Sequence, residues 1–189
     1  MSLTIRQKAD AVGTFRHLAV AYMETLSRWV ATTPEMEVKI LFGRHIWELA
    51  QHADQLGQRT HELRAAPHYD VTPVEGYDAW VQKLAEAAGS GDRFHGFYGA
   101  ALPDLDVRLG VYLDDTDTML DEPTVRILER IRTDIARMVR EYDETAAEVP
   151  AVTAADEFVS GMKAGLGAFE GFDFIAFRPT RETNMEIFS

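Results

Sequence analysis

Apolar residues recur every three or four positions along most of this chain, and this period constrains the fold more than any other feature. In residues 4–32 the repeat is carried by Val12, Phe15, Ala19, Tyr22, Met23, Leu26 and Val30. An α-helix has about 3.6 residues per turn, so this spacing predicts one long helix with a single buried stripe.

The same period predicts further helices, separated by proline and glycine. Their expected ranges are 33–63, 74–88, 92–118 and 121–147. Thr33-Pro34-Glu35 offers an N-cap followed by a proline at the first helical position, and Asp121-Glu122-Pro123 restarts the pattern in the same way. Gly96, Gly99 and Pro103 interrupt the first half of the segment 92–118.

Pro150 separates a helical portion, residues 1–149, from an extension, residues 150–189. Thr153–Asp156 resembles a cap that opens one shorter helix. Phe172–Phe177 alternates like a strand, but it has no second strand to pair with, so we expect an extended tail that crosses the bundle. The extension is rich in large apolar groups: Phe158, Phe169, Phe172, Phe174, Ile175 and Phe177. We therefore expect it to pack on the bundle or on a partner subunit, and we predict a homodimer.

Composition narrows the class of protein. The 189 residues carry 19 Lys and Arg against 31 Asp and Glu, a formal charge of −12, which argues against binding to nucleic acid or to an anionic membrane surface. The absence of cysteine excludes disulfides, thiolate metal sites and cysteine nucleophiles. No segment reaches the roughly 20 apolar residues of a membrane span, and no secretory signal is evident, so we expect a cytoplasmic protein.

Two segments resemble the ferritin-like superfamily of diiron-carboxylate proteins. Gly43–Asp54, read GRHIWELAQHAD, is similar to the second bundle helix, where a Glu-x-x-His pair binds iron. Leu120–Met138 is similar to the last bundle helix, where the matching stretch ends Asp-Glu-x-x-His. The resemblance covers about residues 4–147 and implies an all-α, ferritin-like four-helix bundle, here with an extra short helix and the C-terminal extension.

The resemblance also implies that the diiron site has degenerated. His52 stands at a histidine position, but Leu49 stands at the matching glutamate position. In the last helix Asp134 matches the aspartate, while Ile135 and Met138 replace the glutamate and the histidine. A dinuclear site needs about four carboxylates and two histidines, so we expect no bound metal.

Six residues are the interior candidates for binding a ligand: His45, His52, Tyr22, Tyr112, Arg59 and Arg108. The alternative interpretation is that the histidines are neutral core residues bonded to tyrosines from neighbouring helices, that Glu48 pairs with a basic residue, and that the arginines pair with acids. His45, Glu48 and His52 share one helix face, but the two histidines are two turns apart and cannot easily bind the same metal ion. Any retained metal would therefore use His52 and Glu48.

Three functions therefore remain open. The first is a ferritin-like bundle without its diiron site that binds a small molecule or performs metal-free chemistry in its interior. The second is a non-haem iron oxidase or oxygenase with a rearranged site around His52 and Glu48. The third is a structural dimerisation module.

Overall fold

The structure, a computed structural model, describes residues 3–178 and is built from helices. The elements are α1 (Ile5–Thr32), α2 (Met36–Glu62), α3 (Glu75–Ala85), α4 (Ser90–Gly96), a π-helical turn (Phe97–Ala101), α5 (Leu102–Asp115), α6 (Glu122–Glu148) and α7 (Asp156–Leu166). Residues 3–178 contain no strand, and none of their helices is long and apolar enough to span a bilayer. The all-α prediction is confirmed.

The helix ends differ from the expected caps at two places. Thr33 was expected to cap α2, but its hydroxyl donates to the Trp29 carbonyl at the end of α1, and α2 begins only at Met36. Thr153 was expected to open α7, but Ala155 holds the N-cap position. For Thr33 the end of the preceding helix uses the hydroxyl, which a local cap motif does not register.

Antiparallel packing joins consecutive long helices. Along α1 and α2, the Trp29 and Phe42 rings lie 5.8 Å apart, while Arg16 lies close to Gly57 at the other end. The α5 and α6 helices are also antiparallel, because Tyr112 near the end of α5 bonds Asp121 just before α6, while Asp106 earlier in α5 bonds Arg132 later in α6.

The segment α4–π–α5 runs as one helical rod beside α1. Its residues meet α1 in edge-to-face ring pairs, Tyr112 with Phe15 and Phe97 with Tyr22. Residues 63–89, which include α3, connect the end of α2 to the start of this rod. Phe42 meets Phe94, and His45 three residues later meets Tyr98, so the rod runs parallel to α2. Residues 63–89 are therefore a long crossover connection.

The C-terminal extension packs on its own bundle as far as the structure describes it. Trp80 on α3 donates its indole N–H to the Met162 carbonyl of α7 at 2.8 Å, and the buried ring of Phe174 lies against Phe15 and Tyr77. Residues 172–177 form turns and irregular backbone, so their alternation does not produce a strand. Residues 179–189 lie outside the described part. The homodimer stays a prediction, but the apolar side chains that motivated it are used within one chain.

Candidate functional site

The six predicted ligand-binding residues fall into three separate polar clusters. His45 and His52 lie in a seam between α2 and α6, which we call the α2–α6 seam: His45, Glu48, His52, Asp134, Arg137 and Glu141. Arg59 and Tyr112 meet at Asp121. Arg108 and Tyr22 lie near Asp104. The predicted set is therefore buried but does not line one cavity.

In the α2–α6 seam, polar residues pair at seven-residue intervals. The Nε2 atom of His45 lies 3.1 Å from Glu141 Oε2, and the Nε2 atom of His52 lies 3.1 Å from Asp134 Oδ2. The two histidines are seven residues apart on α2, and the two acids are seven residues apart on α6, which is about two helical turns. The earlier histidine pairs with the later acid. The seam thus shows that α2 and α6 are antiparallel.

His45 has both ring nitrogens occupied. Its Nε2–H donates to the Glu141 carboxylate, which can only accept, and its Nδ1 then accepts from the Tyr98 hydroxyl at 2.7 Å. Tyr98 comes from the π-helical turn, and π turns are often found at functional sites. His45 thus bonds a tyrosine from another helical segment, as the alternative interpretation of the core histidines expects.

His52 has one ring nitrogen without a partner. Its Nε2–H donates to Asp134, while its Nδ1 atom is buried and has no hydrogen bond among residues 3–178. His95 provides the comparison, since it donates to the Val152 carbonyl and accepts from the Tyr142 hydroxyl. His45 and His95 each have a tyrosine at Nδ1, and His52 has none. A buried acceptor left open costs about 1–3 kcal/mol.

Arg137 forms hydrogen bonds with the carboxylates around His52. Its guanidinium donates to Glu48 Oε1 at 2.6 Å and to Asp134 Oδ1 at 3.0 Å, and it also reaches Glu141. The second oxygen of Glu48, Oε2, is buried and has no partner among the described residues. Glu48 therefore pairs with a basic residue, as expected, and leaves a second open acceptor one turn from His52.

Burial controls the protonation of the seam. It lowers the pKa of both His45 and His52 below the ordinary value of 6.5, against the opposing effect of Glu141 on the first and of Asp134 on the second. Burial would raise the pKa of Asp134, but the hydrogen bonds from His52 and Arg137 outweigh it, so the net shift is downward. At neutral pH the pair is a neutral imidazole and an ionised carboxylate.

Arg59 and Tyr112 are bound to a buried carboxylate. Asp121 accepts from the Arg59 guanidinium at 3.0 Å, from the Tyr112 hydroxyl at 2.7 Å and from Thr124 and Thr116. Burial would raise the pKa of Asp121, but these hydrogen bonds lower it on balance. Both of its oxygens are occupied, so this cluster is structural.

Arg108 is likewise committed within the fold. It bonds Asp104 at 2.9 Å and donates to the Phe169 carbonyl at 2.7 Å, which fixes the C-terminal extension to α5. The Tyr77 hydroxyl also donates to Asp104. Tyr22 is fully buried beside this cluster and next to Tyr77, and burial followed by the charge of Asp104 raises the pKa of its phenol.

The positions that would match diiron ligands belong to the apolar core. Leu49, Ile135 and Met138 are all buried. Among residues 3–178 no group of three histidines, aspartates or glutamates is arranged to hold a metal ion. Comparison with known proteins finds no matching family model, curated protein or solved structure.

Sequence reasoning missed the acidic half of the α2–α6 seam. Asp134 and Glu141 lie off the apolar stripe of α6, so helical periodicity alone does not place them near the core. They lie at the half-buried edge of α6, within reach of the histidines. The signal that could have found them is the shared spacing of seven residues in two adjacent antiparallel helices.

Proposed function

We propose that the protein is a ferritin-like bundle without a diiron centre that binds a small molecule beside His52 and Glu48. The chain topology supports the first half of this proposal. Two antiparallel helices, α1 and α2, are followed by one long crossover and then by a second antiparallel pair, the α4–π–α5 rod and α6. One crossover of this kind is typical of ferritin-like four-helix bundles.

Arg137 explains how the bundle tolerates its carboxylates without a metal. Neighbouring acids in a half-buried site need a positive charge, which iron would supply in a diiron protein. Here the guanidinium bonds Glu48, Asp134 and Glu141 and supplies that charge itself. This favours the metal-free function over the iron oxidase.

The observation that carries the ligand site is the pair of open buried acceptors, His52 Nδ1 and Glu48 Oε2. They are four residues apart on α2, so their side chains project to the same side of the helix. Both atoms accept hydrogen bonds at neutral pH, so the ligand must offer two donors. The open Glu48 oxygen belongs to a carboxylate, and Asp134 lies against the other side of the His52 ring, which favours a cationic N–H donor such as an amidinium. Arg137 and Arg130 offset part of this negative charge.

The same atoms can accept a proton from a bound molecule. Asp134 holds the Nε2–H of His52 and so leaves the Nδ1 lone pair as the free acceptor, as a carboxylate orients a general base. A proton transferred to Nδ1 gives an imidazolium that Asp134 stabilises. The lowered pKa of His52 keeps the imidazole neutral, and therefore able to accept, at physiological pH.

The experiment is ¹⁵N NMR of the imidazole rings during titration with acetamidine and, as an uncharged control, acetamide. We expect acetamidine to shift the His52 Nδ1 resonance and to leave that of His45 unchanged, because Tyr98 already fills the His45 acceptor. Glu48→Gln should weaken the response. The opposite result is a His52 Nδ1 resonance that neither compound shifts, together with a crystal structure in which one ordered water bridges the two acceptors. That result would mean that the two acceptors have a structural role and bind no ligand.

A further inference from the structure

A stripe of exposed apolar side chains runs along the outer face of α2, away from the seam. Met36, Ile40 and Trp47 are 61%, 57% and 68% exposed. Separations of four and seven residues place them on the same side of the helix. Gly43 lies among them, and apart from its own helix backbone nothing in the described structure comes within 4 Å of the place where a Cβ would stand. Single exposed apolar residues are ordinary, but a contiguous set marks an interaction surface.

An acidic cleft borders this stripe. It lies between α2 and α6, has a volume of about 210 Å³, and shares Ile40 with the stripe. Its other walls include Glu37, Glu144 and Glu148, which form no ion pair with the residues that the structure describes. The cation in its lining, Arg44, is bound to Glu141. The cleft therefore presents uncompensated negative charge next to an apolar surface.

We propose that this surface, the outer face of α2 formed by Met36, Ile40, Gly43 and Trp47 together with the acidic cleft, binds a basic amphipathic helix of a partner protein. The apolar side of such a helix would cover the stripe, and its Lys and Arg side chains would lie over the glutamates. Gly43 lets the partner approach the α2 backbone closely. The inference stands on atoms outside the α2–α6 seam and is independent of ligand binding there.

Charge decides between this partner and a second copy of the chain. Each copy carries a formal charge of −12, so self-association brings two strongly acidic molecules together. A basic helix gains attraction from the same glutamates, and complementary charge accelerates and orients association. The surface thus fits a cationic partner better than it fits itself.

The test uses a synthetic Leu/Lys peptide of about 18 residues, or five helical turns, with helical periodicity. Its controls are a scrambled peptide of the same composition and a Leu/Glu peptide of the same pattern. We expect the periodic basic peptide alone to bind in isothermal titration calorimetry. Ile40→Ser and Trp47→Ser should each weaken binding by about tenfold or more, since each removes a large apolar contact.

Two matched variants make the result specific to this face. Val107→Ser and Met119→Ser remove exposed apolar groups elsewhere and should leave binding unchanged. The double variant Glu144→Gln and Glu148→Gln should weaken binding and reduce its salt dependence. All of these side chains are exposed, so circular dichroism should show an intact fold.

Three results would overturn the proposal. One is equal loss of binding in the Val107 and Met119 variants, and another is unchanged binding in Ile40→Ser and Trp47→Ser. The third is a homodimer, detected by light scattering, that Trp47→Ser converts to a monomer, because the face then belongs to a second copy.

Discussion

His52 and Asp134 are joined by one hydrogen bond of 3.1 Å between helices that run in opposite directions, and the other nitrogen of the same imidazole has no partner among residues 3–178. The carboxylate fixes the tautomer, so the open atom must be an acceptor. This relationship sets the sign of the first prediction.

Replacing His52 by Gln should make stability less sensitive to acid. Burial lowers the pKa of His52 in the folded protein, so the unfolded chain binds the proton more readily. The contribution of His52 is complete above the unfolded pKa of about 6.5, decreases as the pH falls below that value, and levels off below the folded pKa, with a slope of at most about 1.4 kcal/mol per pH unit.

Urea melts at pH 7.5 and pH 5.5 measure this effect. His52→Gln keeps an N–H donor for Asp134 but does not titrate, and His61→Gln at an exposed position serves as the control. If the difference between the two pH values is the same in the His52 variant and in the original protein, folding does not shift the pKa of His52; a larger difference in the variant would mean that the imidazole is protonated and paired in the fold.

The purified protein should contain less than about 0.2 equivalents of Fe, Mn or Zn, because carboxylate and imidazole ligands are replaced by apolar groups at three matching positions. Those groups, Leu49, Ile135 and Met138, are buried in the core. Elemental analysis after growth in iron-supplemented medium provides the measurement. Near-stoichiometric iron that disappears in His52→Ala would instead support the oxidase.

Asp121→Asn should be strongly destabilising, by about 3–5 kcal/mol, because it removes the buried carboxylate that two buried cations share and leaves Arg59 with only the exposed Glu62. Arg59 and Lys8 both lie within ion-pair distance of this carboxylate. The matched control is the next residue, Glu122→Gln, whose pairing with Arg126 is exposed and should contribute less than about 1 kcal/mol. Equal free energies of unfolding for the two variants would contradict the structural role of Asp121.

Gly91→Ala should be destabilising by about 1–3 kcal/mol through overpacking. A Cβ at Gly91 would lie 1.9 Å from the Thr153 carbonyl oxygen, so the segment after α6 would have to move. Gly161→Ala, in a helix with open space around it, should instead stabilise by up to about 1 kcal/mol. Thermal melts of both variants check the two signs, and a neutral Gly91→Ala would show that α4 does not contact this segment in solution.

Much of the helical framework follows from local physics. The apolar period of α1 and α6 defines both helices almost to the residue, and Pro123 lies in the first turn of α6 as its missing N–H allows. Thr33 shows the limit of this reasoning. Its hydroxyl serves the end of the preceding helix, a choice that depends on how the chain turns between helices.

The candidate site was harder to predict because it depends on the register between helices. A helical wheel correctly groups His45, Glu48 and His52, but it cannot show which residue of another helix stands opposite each one. Asp134 and Glu141 lie at the edge of their own stripe, and only their alignment with α2 makes them partners of the histidines. Likewise, Arg59 and Arg108 are polar interior residues as expected, but each is bound to an acid of the fold.

The π-helical turn at Phe97–Ala101 acts as a one-residue insertion within a continuous helical rod. An α-helix advances by about 100° per residue, so one additional residue rotates everything on one side of the turn by about that angle relative to the other side. The rod can therefore present Phe94 and Tyr98 to α2 while α5 keeps Tyr112 against α1. Removing one residue there would change the phase of the rod and take Tyr98 away from His45, which would leave both seam histidines with an open nitrogen.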